Sequence, residues 1–360
     1  MPTKTSSTLS EYLDTMTRPG ELVEPAAEAG ALRCVACGHR CLIKPGRRGI
    51  CQVRFNRDGE LRVPWGYVAA AQLDPIEKKP FNHVLPGARA LTFGMLGCDF
   101  HCGYCQNWLT SQALKDPAAG EGAADYVQPV TPRQFVAMAQ RLGAETIASS
   151  YNEPLITAEW AVSIFKPAIE AGLRCVFVSN GNATKEALAY LRPYLTAYKV
   201  DLKTMQDKHY RELGGVLDHV LDTIRMAHDL GLWLEVVTLV VPGFNDSPDE
   251  LWQAARFLAS VSPDIPWHVT AFHPDYKMQD RGFTTADMLQ RAADIGQEAG
   301  LRYVYAGNLP GRVGSLEDTH CPHCGLAVIR RRGYTILENR VTDSGGKCPK
   351  CGTNIPGVWN

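Results

Sequence analysis

The chain has 360 residues, 45% of them hydrophobic and 21% charged, which suits one large globular domain with smaller attachments. Its formal net charge of -1 excludes a global basic field for nucleic acid or an acidic membrane surface. No apolar run approaches the roughly 18–20 residues of a bilayer span, and Met1-Pro2-Thr3-Lys4 onward lacks an apolar signal core; a cytoplasmic protein is expected.

Twelve cysteines are many for such a chain. Disulfide scaffolds are usually small, and eleven of the twelve fall in three groups, so metal binding is the better account. Cys175, in the apolar run Cys175-Val176-Phe177-Val178, reads as a buried core thiol.

Residues 1–30 form a polar extension, with a loose helix over 10–16 and the remainder extended. Residues 31–60 carry Cys34-x2-Cys37-x3-Cys41-x9-Cys51, with Gly38, Pro45, Gly46 and Gly49 between. Four thiolates close a metal site and point to a structural role; zinc is favoured, with an auxiliary iron–sulfur cluster as the competitor. Residues 61–89 read as a strand followed by a proline-punctuated connector or lid (Asp74-Pro75-Ile76-Glu77-Lys78-Lys79-Pro80).

From 90 to 310 strands and helices alternate. Apolar strands are expected near 90–96, 145–150, 173–179, 196–202, 233–241 and 267–272. Helical periods fill 131–142, 156–171, 184–193, 216–231, 247–261 and 284–299. This predicts an α/β fold, a partial (β/α)6 TIM barrel, with a doubly wound open sheet as the alternative. In a parallel barrel the chemistry lies at the C-terminal strand ends.

The first of those ends runs into Gly97-Cys98-Asp99-Phe100-His101-Cys102-Gly103-Tyr104-Cys105-Gln106-Asn107-Trp108. A cubane cluster has four irons to ligate, and Cys98, Cys102 and Cys105 supply three thiolates. One iron is left open, as catalytic metal sites keep an open position. A zinc knuckle with Asp99 or His101 is the competing reading, but no second cysteine pair follows nearby.

Later strand ends carry short polar side chains. Ser149-Ser150-Tyr151-Asn152-Glu153-Pro154 suits a ligand or a helix start, and Ser179-Asn180-Gly181-Asn182 suits ribose or carboxylate bonds or a capped turn. Asp201 and Lys203 offer a ligand pair or a surface ion pair. Thr238 ends the fifth strand. His268, His273, Tyr276 and Lys277 cluster at the sixth, and Arg312 follows the seventh apolar segment. These last five offer cationic and donor groups for a carboxylate, although a loop-capping His273 and a solvated Lys277 would look the same. Residues 311–360 contain two C-P-x-C-G knuckles, Cys321/Cys324 and Cys348/Cys351, around a hairpin over 327–338. That is a zinc-ribbon pattern, with rubredoxin-type iron as the alternative; its expected role is a stapled cap.

The three-cysteine loop, with Tyr104 before its last cysteine, resembles the radical S-adenosylmethionine (SAM) superfamily. Tyr151-Asn152-Glu153-Pro154, Val200-Asp201-Leu202-Lys203, Phe272-His273-Pro274-Asp275-Tyr276-Lys277 and Gly307-Asn308-Leu309-Pro310-Gly311 narrow the resemblance. They are similar to the pyruvate formate-lyase-activating-enzyme-like branch, and within it to the radical SAM member of the AmmeMemoRadiSam system. The resemblance covers roughly 31–360. It implies a 4Fe-4S cluster on Cys98, Cys102 and Cys105 that reductively cleaves SAM, and a 5′-deoxyadenosyl radical that abstracts hydrogen. It implies cofactor contacts from Tyr104, Asn107, Tyr151, Asn152, Glu153, Ser179, Asn180, Asp201, Lys203 and Thr238. Where activating enzymes tend to carry Asp-Thr-Asn-Gly, this chain has Val178-Ser179-Asn180-Gly181. A small anionic substrate is expected ahead of a glycyl or other position on a partner protein. Flavodoxin or ferredoxin is the implied reductant, and Memo-like and AMMECR-like proteins are the implied partners.

Overall fold

Eight strands make the central sheet, and their spatial order is their order in the chain. They are β1 (Ala70–Pro75), β2 (Arg89–Gly94), β3 (Thr146–Ser149), β4 (Arg174–Ser179), β5 (Ala197–Asp201), β6 (Trp233–Val240), β7 (Trp267–Ala271) and β8 (Val304–Gly307). The computed structural model describes residues 8–360, so the expectation for the extreme N-terminus lies outside the described residues. Strands β2 to β8 run parallel; β1 is antiparallel to β2.

The parallel strands form where continuous apolar runs allow burial on both faces. Cys175, Val176 and Phe177 of β4 are fully buried, as are Trp267 and Val269 of β7. Between strands lie α1 (Pro132–Arg141), α2 (Ala158–Glu170), α3 (Lys185–Leu191), α4 (Asp207–Leu213), α5 (Leu217–Asp229), α6 (Pro248–Val261) and α7 (Ala286–Glu298). Their starts are set locally. Thr131 and Gln134 close a capping box on α1, and Ser247 and Thr285 cap α6 and α7 through their hydroxyls. Phe93, Phe135 and Phe165 pack edge to face between β2, α1 and α2.

The expected strands and helices fall within a few residues of those observed. Three features differ. Seven parallel strands are present where six were expected, because the four-residue β8 pairs with β7. The segment read as connector or lid contributes β1 to the sheet edge. Helix α4 was not expected. The order never reverses, as it would in a doubly wound sheet.

Two small three-stranded sheets flank the N-terminal cysteines, one built from Val23–Pro25, Leu32–Cys34 and Leu42–Ile43 and the other from Thr17–Pro19, Phe55–Arg57 and Glu60–Pro64. This segment is anchored to α2 by Arg54 and Glu159, both essentially inaccessible to solvent. At the other end Thr319–His320, Ala327–Arg332 and Thr335–Asn339 form an antiparallel sheet with its own apolar cluster around Val328, Ile329 and Trp359. The terminal tail returns to the sheet: Val358 exchanges backbone hydrogen bonds with His83 and Leu85. Among the described residues no helix is long and apolar enough to cross a membrane.

Candidate active site

The register aligns the C-terminal ends of β2 to β5: Ser149 lies opposite Phe93, and Ser179 opposite Val200. The cysteine loop leaves β2 at that edge. Two of its sulfurs receive hydrogen bonds, Cys98 from the Phe100 amide at 3.4 Å, while Cys105 shares one with the Ser111 hydroxyl at 3.2 Å. All three cysteines are free. Burial pushes their thiols up, that of Cys102 to about 12, so a cationic ligand is what would draw the protons off. Three thiols, two of them hydrogen-bonded at sulfur, and no fourth cysteine on the loop fit a cluster with one open iron.

Asp99 organises the ground beneath the loop. It is fully buried and accepts from the side-chain amides of Asn180 and Asn182, each at 2.8 Å. Glu153 joins the ends of β3 and β4, accepting from the Ser179 hydroxyl at 2.8 Å and the Asn180 amide at 2.6 Å. Burial, then the nearby Asp99 carboxylate, raises Glu153 to about 8. Asn152 accepts from the Met95 amide at 3.0 Å. Asn152, Glu153, Ser179 and Asn180 are therefore brought together beside Cys98. Asp201 sits further along, between Lys199 and Lys203; burial would raise it, but the two ammoniums hold it at about 2.

Other expected site residues have different employment. Tyr104 is buried edge-on against Phe244, and Asn107 is exposed at the start of a short helix. Tyr151, at φ 69, turns its hydroxyl to Lys79 and Asp74. The Thr238 hydroxyl accepts from the Trp267 indole at 2.9 Å, inside the core rather than at the mouth. His268 is buried with its Nε2 2.6 Å from Glu235.

A cavity of about 1130 Å³ opens beyond the ends of β7 and β8. His268, His273 and Arg312, three of the five residues expected to meet substrate, line it. Tyr276 and Lys277 are not among the lining residues. The expected His273/Lys277 pair does not form. Lys277 points away and binds Asp116 at 2.7 Å, Tyr276 also donates to Asp116, and Tyr276 stacks on Trp108. His273 instead meets Gln106, the residue after Cys105, at 2.9 Å. Gln106 thus links the cysteine loop and the cavity; its place next to the last cysteine was the available signal. Sequence reasoning also missed Glu77, Arg331, Arg332 and Tyr334, which line the cavity from the sheet edge and the C-terminal hairpin. Glu77 is raised to about 7, mainly by burial.

The C-terminal knuckles come together as the spacing predicts. Their four sulfurs all lie within 4.8 Å of one another, with Cys321–Cys351 at 3.5 Å and Cys324–Cys348 at 3.6 Å. That arrangement fits a bound metal ion.

The model of the Radical SAM superfamily matches residues 93–258, which hold the loop and the ends of β2 to β6. An uncharacterized protein of Methanocaldococcus jannaschii is 35% identical over 326 residues, 90% of this chain and 95% of its own. The chain belongs to the radical SAM superfamily. Among its relatives is the pyruvate formate-lyase-activating enzyme of Staphylococcus aureus, 24% identical over 241 residues, 62% of this chain and 92% of that one. A solved radical SAM methyltransferase from Sphaerobacter thermophilus aligns over 84% of this chain and 81% of its own, at 13% identity and a TM-score of 0.48. Membership in the radical SAM superfamily makes this chain an enzyme and implies a 4Fe-4S cluster and SAM.

Proposed function

We propose that this radical SAM enzyme takes a hydrogen atom from a small anionic substrate held in the cavity beyond β7 and β8. The carrying observation is the cavity rim. Arg312 and Arg332 line it, are exposed, and have no carboxylate partner among the described residues. Unpaired guanidinium groups at a concave site suit a carboxylate or phosphate, which they grip bidentately. Cys98, Cys102 and Cys105 would hold the cluster, and Asn152, Glu153, Ser179, Asn180, Asp201 and Lys203 would face SAM. When bound, these groups supply one-electron cleavage of a sulfonium and a hydrogen-abstracting radical. Gln106 and His273 orient the substrate side of the loop. The ordered, never-reversing strands support a partial barrel whose C-terminal mouth is this site. The C-terminal knuckles are assigned zinc, and the reductant is a flavodoxin- or ferredoxin-type carrier.

A second reading, radical formation on a partner protein, is favoured by one feature: Phe283 lines the cavity yet is 70% exposed, a contact surface for a polypeptide. The relative named for activating pyruvate formate-lyase points the same way. The deciding experiment uses anaerobically reconstituted enzyme, SAM and reductant with a cell extract split into small-molecule filtrate and retained protein. Filtrate-stimulated 5′-deoxyadenosine formation is expected. Stimulation by the protein fraction alone would replace the first reading with the second.

A further inference from the structure

We propose that Cys34, Cys37, Cys41 and Cys51 hold an iron–sulfur cluster rather than zinc, and that this cluster is the electron inlet to the catalytic loop. The inference rests on the reading that Cys98, Cys102 and Cys105 hold the catalytic cluster.

The donor set is complete and shielded. All four thiols are free; Cys34, Cys37 and Cys51 are buried and Cys41 is half-buried. Backbone bonds fix the loop: the Cys34 amide donates to the Cys41 carbonyl at 3.0 Å, and the Ile50 amide to the Cys41 sulfur at 3.5 Å.

Spacing separates the two metals. Zinc–sulfur bonds of about 2.3 Å in a tetrahedron place the sulfurs about 3.8 Å apart. The C-terminal knuckles match that, and among the described residues they are the one group whose ligand atoms all lie within 4.8 Å. Among the described residues, Cys34, Cys37, Cys41 and Cys51 do not form so close a group. A cubane takes each thiolate on a different iron and so needs its ligands farther apart than a single ion does.

A second observation points to a negatively charged occupant. Arg54 is 1% exposed, and its Nε has no hydrogen-bond partner. Besides Glu159, its charge faces Cys34 and Cys51. A buried N–H with no partner has a hydrogen bond left to give, and a cluster or thiolate sulfur is an acceptor for it.

Position supplies the role. A side chain at Gly97, next to Cys98, would meet Val53 at 2.8 Å and the Cys51 carbonyl at 3.3 Å, so the two cysteine loops touch with nothing between them. The Gly38 amide donates to the Asn182 carbonyl at 2.8 Å. His39, between Cys37 and Cys41, brings Nε2 to 3.9 Å from Asp99, whose other oxygen is 3.8 Å from the Cys98 sulfur. On the outer side Leu42 and Ile50 are exposed beside Cys41, an apolar rim for a carrier protein. The step balances simply: one electron arrives from a one-electron carrier protein, which is oxidised, and one electron leaves for the catalytic loop; no bond forms and no proton moves.

The test uses the full chain. In the Cys98→Ala/Cys102→Ala/Cys105→Ala variant, reconstituted anaerobically, about four iron and about four sulfide per chain should remain, with a paramagnetic signal on reduction. Zinc at that site without iron overturns the proposal. Retained 5′-deoxyadenosine formation in this variant would instead overturn the catalytic assignment, so the two failures are distinguishable. For the inlet, Cys37→Ser/Cys41→Ser should lower the ratio of flavodoxin-driven to dithionite-driven SAM cleavage by an order of magnitude. An unchanged ratio overturns the relay, and metal analysis of the first variant stands even if the second does not fold.

Discussion

Among the contacts that fasten the N-terminal cysteine segment to the sheet domain, the Arg54–Glu159 pair is fully buried, and Glu159→Ala should destabilise the protein strongly. Arg54 donates to Glu159 through both terminal nitrogens, at 2.7 and 2.8 Å, and to the Ile156 carbonyl at 3.1 Å. Glu159 also accepts the backbone amides of Glu21 and Leu22, each at 3.2 Å. Both side chains are at most 1% exposed, so water cannot replace what is removed. Truncating one partner of such a pair leaves an uncompensated buried charge, a cost of about 3–5 kcal/mol. The loss of an acceptor for the buried Leu22 amide acts in the same direction. Against a typical stability of about 5–15 kcal/mol, this is a large fraction. The companion variant Arg54→Met/Glu159→Leu removes both charges together and should cost less than Glu159→Ala alone, because no orphan charge remains. Urea denaturation followed by tryptophan fluorescence, with limited proteolysis reporting on residues 8–60, measures both. A Glu159→Ala loss below about 1 kcal/mol would refute the buried-charge argument. So would a double variant less stable than the single.

Four further outcomes are expected. Cys98→Ala, Cys102→Ala and Cys105→Ala should each abolish 5′-deoxyadenosine formation, since each removes one of three thiolates; normal formation in any of them refutes the loop assignment. Arg332→Gln and His273→Ala should keep the cluster spectrum and uncoupled SAM cleavage but lose substrate-dependent turnover, whereas Lys277→Met, away from the cavity, should keep turnover. Chelation of the C-terminal metal should lower the melting temperature and substrate affinity together, because Arg331 and Arg332 line the cavity from that module; metal analysis should find zinc there, and iron with a rubredoxin spectrum would overturn the assignment. Burial lowers the imidazole of His83 from 6.5 to about 4. Between those values the unfolded chain binds the extra proton, so stability should fall as pH drops from 6.5 towards 4, by about 3 kcal/mol in all. His83→Gln should flatten that part of the profile, and an unchanged slope refutes it.

What the sequence disclosed follows from how local each signal is. A buried parallel strand is a continuous apolar run, so β2 to β7 were readable from Leu91, Val176, Val200, Val236 and Val269 and their neighbours. Edge strand β1 was not. Ala70, Gln72, Asp74 and Pro75 give no apolar run, and pairing with β2 is what makes them a strand. Strand β8 is only four residues long. Cysteine knuckles are legible because their spacing is local, and the four C-terminal sulfurs come together as that spacing predicts. The cavity was less legible, because its walls come from β1, β7, β8 and the hairpin around Gly333, which no motif connects. His273 and Lys277 mislead for a definite reason. Tyr276 between them adopts φ 48, a left-handed conformation rare for an aromatic residue. That reversal sends Lys277 back over the cysteine loop while His273 stays at the cavity.

The same reversal gives the loop after β7 a purpose beyond lining the cavity. The Lys277 amide donates to the Gly103 carbonyl at 2.8 Å, between Cys102 and Cys105. Tyr276 lies parallel to Trp108 at 5.0 Å, and Lys277 with the Tyr276 hydroxyl holds Asp116 down at about 2. His273, three residues earlier in the chain, faces the cavity and meets Gln106. One short segment therefore grips the cysteine loop on its outer side and presents a cavity-facing imidazole on its inner side. Hydrogen abstraction is sensitive to position, and a misplacement of about 1 Å can cost on the order of a hundredfold in rate. Mounting a cavity wall directly on the cysteine loop removes an intervening hinge, so under the proposed function the distance between substrate and radical source would be set within one packed unit. The strained Tyr276 backbone is the element that lets a single loop serve both faces.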